Sequence, residues 1–161
     1  MIEVHDLCHV EPDVVEAWIT RMSANLRQCD LDEIEAMAAT RPEVALRDSL
    51  AISSHAYAVL DRAGEPVAIF GAAPHPLPGV GVVWMLGTDG IEREALSIGR
   101  RTKRYFTELT NAYPLALWNY IDARNTVSMR WLRWGGFKLL GETRMGPEGL
   151  PFHIFARTNY V

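Results

Sequence analysis

Residues 2 to 8, IEVHDLC, alternate apolar and polar side chains, a period of two that predicts a strand. Glu11-Pro12-Asp13 then opens a helix running to about Ala24, since proline fits a first helical turn and Trp18, Ile19 and Met22 recur on one face. Asp30, followed three residues later by Glu33, has the spacing of a capping box and predicts a second helix with Leu31, Ile34 and Met37 turned inward. Thr40 and Glu43 repeat that spacing around Pro42 and predict a third. From residue 55 the period returns to two. HAYAVLD (55–61), a turn at RAGEP and VAIFGAA (67–73) predict an antiparallel hairpin, PHPLPG a rigid connector, and GVVWML (81–86) a short apolar strand. The helical period takes over from about Ile91, with Ile98, Thr102, Phe106 and Leu109 on one face as far as Tyr113-Pro114. LALWNYI (115–121) predicts a buried strand and NTVSMRWLRWGGF (125–137) a helix halted by two glycines. FKLLGETR (137–144) and HIFART (153–158) close the chain as a hairpin around GPEGLP.

This order predicts one domain over residues 1–161 of the α/β (α+β) class, a mixed, mostly antiparallel sheet of about seven strands with helices on both faces. With 161 residues, 48% of them apolar, the chain can bury a core, and no linker, repeat or low-complexity tract divides it. Lys and Arg total 16 against 20 Asp and Glu; the resulting charge of -4 argues against a nucleic-acid partner. No apolar run approaches the roughly 20 residues that span a bilayer, and MIEVHDLCHVEPD has no cationic stretch leading into an apolar one. Cys8 and Cys29 are too few for a disulfide framework and lack metal-ligand spacing. The expectation is a soluble chain of a reducing compartment, without a membrane partner.

The segment 125–137 carries the most informative pattern. Asn125 stands where strand gives way to helix, and an asparagine oxygen there accepts an orphan backbone N–H. Gly135-Gly136 suits the left-handed stop, with Phe137 packing back on Trp131 or Leu132. Cap, apolar face and stop account for the spacing. Taken with the order of elements, Asn125, Ser128, Trp131, Gly136 and Phe137 resemble the GNAT superfamily of acyl-CoA-dependent N-acyltransferases. DRAGEPVAIFG resembles that family's second hairpin. More narrowly, WMLGTD (84–89) and NYIDARNT (119–126) are similar to GNAT-like proteins of tailed bacteriophages and prophages, a group associated with virion assembly or internal virion components.

The resemblance implies acetyl-CoA as co-substrate, a primary amine as acceptor and no metal. It implies a cytoplasmic or virion-associated location, with phage structural proteins and a second copy of the chain as further partners. It also implies two neighbouring parallel strands that splay apart near Leu86 and Ile121, a β-bulge at Trp84 to Gly87, and a pantetheine arm held by the backbone of Trp84, Met85, Leu86 and Gly87. Asn125 and Ser128 would contact that arm too; for Asn125, a cap alone and a cap with a ligand contact both stay open.

The catalytic signals are uneven. The CoA pyrophosphate would meet LGTDGIEREAL, where Gly87 and Gly90 give permissive backbone but Asp89, Glu92 and Glu94 oppose it with negative charge. Arg100 and Arg101, beside Gly99, are either a phosphate clamp or a solvated helix face. Seven residues beyond Asn125, where enzymes of the family use a tyrosine as general acid, stands Leu132. Tyr120 is the substitute acid, with structural hydrogen bonding as its alternative, and Asp122 the candidate base, with a turn role as its alternative. None of the five histidines shows a metal-ligand pattern, and Trp84 and Trp134 are the tryptophans placed to line a pocket. Two classes of function follow: an N-acyltransferase, or a GNAT-like domain kept for assembly with little catalysis.

Overall fold

Segments with a period of two pair into one sheet, and those with a helical period pack on it. The computed structural model describes residues 1–159. In chain order it has β1 (Glu3–Asp6), a 3₁₀ turn (Leu7–His9), α1 (Pro12–Ser23), α2 (Gln28–Ala38), α3 (Pro42–Ile52), β2 (His55–Leu60), β3 (Pro66–Pro74) and β4 (Val80–Gly87). The second half has α4 (Gly90–Arg93), α5 (Ala95–Ala112), β5 (Ala116–Asp122), α6 (Thr126–Trp134), β6 (Lys138–Met145) and β7 (Leu150–Arg157). The seven strands lie in the order β1-β2-β3-β4-β5-β7-β6, all antiparallel to their neighbours except the parallel pair β4 and β5. The mixed sheet with helices on both faces is the architecture expected.

Alternation along the strands divides the core in two. Ala58, Leu60 and Ile69 meet Trp18, Ile19 and Met22 of α1 and Leu46 of α3 on one face. Val59, Phe70 and Val83 meet Ile98 and Leu109 of α5 and Met129 of α6 on the other. Pro12 and Pro42 each take a first helical turn, where the missing N–H costs nothing.

Three local expectations fail for identifiable reasons. The first strand stops at Asp6, whose carboxylate accepts the Cys8 N–H at 3.1 Å and bends the chain into the 3₁₀ turn. The long helix breaks at Glu94 into α4 and α5. Neither capping box forms: α2 starts at Gln28 with N-cap Arg27 and α3 at Pro42 with N-cap Arg41, neither side chain caps its helix, and Asp30 and Glu33 bond elsewhere.

Where β4 and β5 run together matters most for the rest of the molecule. They pair only at Val80 with Ala116, Gly81 with Leu117 and Val82 with Trp118. Beyond that, β4 follows β3 in unbroken register from Gly81 to Gly87, while β5 follows β7 from Leu117 to Asp122. Each strand stays with its outer neighbour, so the twisted sheet opens between them. The bulge expected at Trp84 to Gly87 is absent, because every β4 residue there faces a single β3 partner. Asn119 sits at the fork and donates its Nδ2 to the Val83 carbonyl at 2.8 Å, spanning the last point where the strands are close.

Candidate functional site

The opening between the strands leads into a crevice of ≈ 660 Å³ that passes through the sheet, lined from α2 and α3 on one face and α5 and α6 on the other. Its β4 wall is partly spoken for. The Gly87 N–H donates to Asp30 Oδ2 at 2.9 Å, and the Gly87 carbonyl accepts the Arg27 N–H at 2.9 Å. Val83 and Gly87 both address the gap, so strand alternation turns the N–H and C=O of Met85 into it as well, where β5 has already diverged. On the β5 wall, the Tyr120 N–H donates to Asn119 Oδ1 at 2.7 Å and the Asp122 N–H to Glu33 Oε1 at 3.0 Å.

Side chains from the first turns of α2 therefore close the far end of the fork. Arg27 and Asp30, 4% and 2% exposed, form a two-point ion pair at 3.0 Å. Burial pushes the Asp30 carboxyl up, while Arg27 and the Gly87 N–H, three donors on its two oxygens, pull it back. One helical turn on, Glu33 makes no direct ion pair among the described residues, with Arg27 and Arg124 only within electrostatic range. Burial pushes its carboxyl up to about 7, against the pull of the Asn125 side chain and the Asp122 N–H and with further repulsion from Asp30 and Asp122. Such a group holds and releases a proton near neutral pH.

Asn125, Ser128, Trp84, Met85 and Leu86 all line the crevice, and Gly87 closes its end. Asn125 caps α6, its Oδ1 accepting the Ser128 N–H at 3.1 Å, and its Nδ2 donates to Glu33 at 3.2 Å. Both ends of that side chain are engaged inside the protein. Ser128 Oγ accepts from Arg27 at 3.5 Å, and Trp84 Nε1 donates to Ser53 at 2.8 Å. Tyr120 lines the crevice with its ring edge-on to Trp118, on the face of β5 opposite the buried Leu117 and Ile121. Leu132 lines the crevice at the position where the family resemblance implies a tyrosine, and Trp134 lies at its margin, 67% exposed.

Two sets of candidates are corrected. Asp122 is a poor base: Arg124 donates to its oxygens from Nε at 3.0 and 3.1 Å, from Nη2 at 2.6 Å and from its backbone N–H at 2.8 Å. Those bonds hold its carboxyl below the usual range. Arg100 and Arg101 are exposed on the side of α5 away from the crevice, where they line a separate hollow with Glu3 and His5 of β1; the α5 cation that faces the crevice is Lys103. At 100° per residue, Arg100 falls behind the core-facing Ile98 and Thr102, and Arg101 on the flank beside Tyr105, opposite the flank that carries Phe106 and Lys103.

The loop after β4 makes no glycine cradle. Neither Gly87 nor Gly90 has a positive φ; a Cβ on Gly87 would come within 2.0 Å of Ile91 Cδ1, and one on Gly90 within 2.5 Å of Val67 Cγ1. These glycines let α4 lie tightly on β3. Gly99 likewise admits Trp134, as a Cβ there would sit 2.9 Å from the indole. Away from the crevice, Asp6, Cys8 and His9 bring donor atoms within 4.8 Å of one another on the exposed 3₁₀ turn, an arrangement that sequence spacing did not suggest.

Sequence reasoning missed Arg27, Asp30, Glu33 and Asn119. The two acids had been assigned to a helix cap, and the available signal was their position on the α2 face that also carries Arg27 and Ile34.

No family model matches the chain, and no curated protein matches its sequence. Solved structures match its fold. It is similar to an acetyltransferase of the GNAT family from Streptococcus pneumoniae at 13% identity and a TM-score of 0.62, over 98% of each chain. Ribosomal-protein-S5-alanine acetyltransferase from Vibrio fischeri is 10% identical with a TM-score of 0.65, over 99% of this chain and 93% of that one. An aminoglycoside acetyltransferase in complex with coenzyme A and kanamycin is 17% identical with a TM-score of 0.60, over 99% and 95%. The chain has the GNAT fold.

Proposed function

We propose that this protein transfers an acyl group from acyl-CoA to a primary amine. The observation that carries the reading is the crevice between the splayed ends of β4 and β5, with the Met85 backbone turned into it and Glu33 at its side. A thin extended arm entering from the α5 and α6 face meets strand amides, as a pantetheine chain requires, and an amine arriving from the α2 face meets Glu33. The amine arrives as an ammonium ion; Glu33 takes its proton, and the freed nitrogen attacks the thioester carbonyl. The carbon–sulfur bond then breaks and the leaving thiolate takes a proton from Tyr120, the crevice group placed on the β5 wall, while the nitrogen gives up its second proton, by way of solvent, to restore the Tyr120 hydroxyl as the neutral amide forms. The names of similar structures include the amines kanamycin and spermidine, which supports an amine acceptor.

The residues fit the arm better than the phosphates, since Asp89, Glu92 and Glu94 crowd the start of α4 and α5. Calorimetric titration with acetyl-CoA and desulfo-CoA tests the reading, together with thiol release over a panel of primary amines. Micromolar binding with amine-dependent thiol release is expected; no heat at millimolar ligand would end it.

A second reading is favoured by two observations: Asp30 already occupies the Gly87 N–H, and α6 presents Leu132 in place of a phenol. On that reading the domain binds without turnover and serves assembly, in a phage particle if the WMLGTD and NYIDARNT likeness holds. Binding of acyl-CoA without thiol release for any amine distinguishes it.

A further inference from the structure

Outside the crevice, one group of side chains combines three kinds of metal donor. The turn that leads from β1 into α1 carries a carboxylate at Asp6, a thiol at Cys8 and an imidazole at His9, and their donor atoms lie within 4.8 Å of one another. The backbone explains why they meet. Asp6 is held in β1 opposite Tyr57 and caps the 3₁₀ turn, its Oδ1 accepting the Cys8 N–H at 3.1 Å, and the Val10 N–H closes the turn on the Leu7 carbonyl at 3.3 Å. One carboxylate oxygen thus fixes the turn. The other, Oδ2, stands 3.7 Å from His9 Nδ1, and Cys8 Sγ stands 3.1 Å from the same nitrogen. Around a tetrahedral zinc ion, with bonds of about 2.0 Å to nitrogen and oxygen and about 2.3 Å to sulfur, the matching edges are about 3.3 Å and about 3.5 Å, so each separation is within about 0.4 Å of its ideal. Sγ is also 3.9 Å from Nε2, so the His9 ring has to turn to aim Nδ1 at an ion, and a side chain 81% exposed has room to do so.

We propose that Asp6, Cys8 and His9 bind one divalent transition-metal ion of the zinc class through Oδ2, Sγ and Nδ1, with water in the fourth position. The donor set selects the ion: thiolate and imidazole suit zinc and cobalt, whereas magnesium and calcium take oxygen ligands. Cys8 binds as the thiolate, so its proton passes to solvent when the ion enters. The Cys8 N–H on Oδ1 orients the carboxylate from behind, the support that a ligating oxygen needs. Cys8 and His9 are exposed and Asp6 is half-buried, which leaves the ion a path in from solvent. This site is separate from the crevice, and the inference does not depend on the acyl-CoA reading.

The test is spectroscopic titration of the whole protein with Co²⁺ under a phosphine reductant, followed by calorimetric titration with Zn²⁺. One ion per chain is expected, with the near-ultraviolet band of a thiolate–cobalt bond and the visible bands of tetrahedral cobalt, all displaced by Zn²⁺. Cys8→Ser should abolish the near-ultraviolet band. Asp6→Asn keeps an oxygen for the Cys8 N–H, and so the turn, but loses the charged ligand; it should weaken Zn²⁺ binding by at least about 10- to 100-fold. The absence of a thiolate band in the wild type, or Zn²⁺ affinity unchanged by both substitutions, overturns the inference. A band that persists in Cys8→Ser belongs to Cys29 and overturns it too. Should either variant fail to fold, His9→Gln, at the 81% exposed ligand, takes its place with the same expected loss of Zn²⁺ affinity.

Discussion

Glu33 accepts two hydrogen bonds on one oxygen, from the Asp122 N–H and Asn125 Nδ2, and still has its carboxyl raised to about 7, because burial outweighs both donors. Two consequences follow for that residue. If it takes the ammonium proton, Glu33→Gln should lower kcat/KM by about 10²- to 10⁴-fold, and the wild-type rate should climb toward a plateau above pH about 7. A variant that keeps its activity and pH profile would remove Glu33 from the chemistry. The second consequence concerns stability. An unfolded glutamate loses its proton near pH 4.3, whereas the folded one keeps it to about 7. Between those values the folded state binds more protons, so stability falls as pH rises through the window. Asp122 has the opposite sign, but its lowered carboxyl acts below pH about 4. Glu33→Gln should therefore gain on the wild type in thermal midpoint between pH 5 and pH 8, by measurements at both. Parallel midpoints would mean that the carboxyl is unshifted.

At the scale of elements, α2 is fastened to the end of β4 by the bonds of Asp30 and the Arg27 N–H to Gly87, with Asp30 charge-balanced by Arg27 within the same turn, and that fastening can be taken apart. Asp30→Leu strands the Arg27 guanidinium at 4% exposure, which should cost about 3 to 5 kcal/mol in urea denaturation. Removing both charges, as Arg27→Met with Asp30→Leu, should recover most of that loss; a double variant as unstable as the single one would show that the Gly87 bond, not the charge, is what matters. The turn between β6 and β7 offers a second comparison. Gly146 and Gly149 both have positive φ, +75° and +61°, but a Cβ on Gly146 would lie 1.8 Å from the Ala36 carbonyl oxygen of α2 while one on Gly149 meets open space. Gly149→Ala should cost only the left-handed penalty of about 1 to 2 kcal/mol, and Gly146→Ala about 2 kcal/mol more, because the hairpin tip must lift off α2. Equal costs would mean that the tip does not rest there. These elements also show what sequence pattern can and cannot carry. Period two and period 3.6 located all seven strands and the main helices, since burial of one face is local information. The fork between β4 and β5 depends on which outer neighbour each strand follows, and the pairing of Glu33 with Asn125 joins positions 92 residues apart. Neither leaves a periodic trace. Asp30 and Glu33 went astray because the same spacing serves a helix cap and a face that reaches another strand.

For the molecule as a whole, charge and crevice pull in different directions. The chain carries -4, and Asp89 and Glu92 stand exposed where the phosphates of CoA would approach, with Glu94 engaged by Arg62 at 3.5 Å. A site that captured CoA by its phosphates would weaken as salt rose. On the acyl-CoA reading proposed above, the grip would lie on the arm, through strand amides and apolar walls that salt does not screen, while the phosphates would meet like charge that it does. Raising ionic strength from about 10 mM to about 150 mM shortens the screening length from about 30 Å to about 8 Å. Affinity for acyl-CoA should therefore improve with salt, by about two- to fivefold if the repulsion amounts to about 0.3 to 1 kcal/mol. An acyl-pantetheine, which has the arm without the phosphates, should show no such change, and Glu92→Lys should improve acyl-CoA binding at low salt without touching acyl-pantetheine. Weaker acyl-CoA binding at high salt would instead place the phosphates against a cation, with Lys103 the α5 cation lining the crevice.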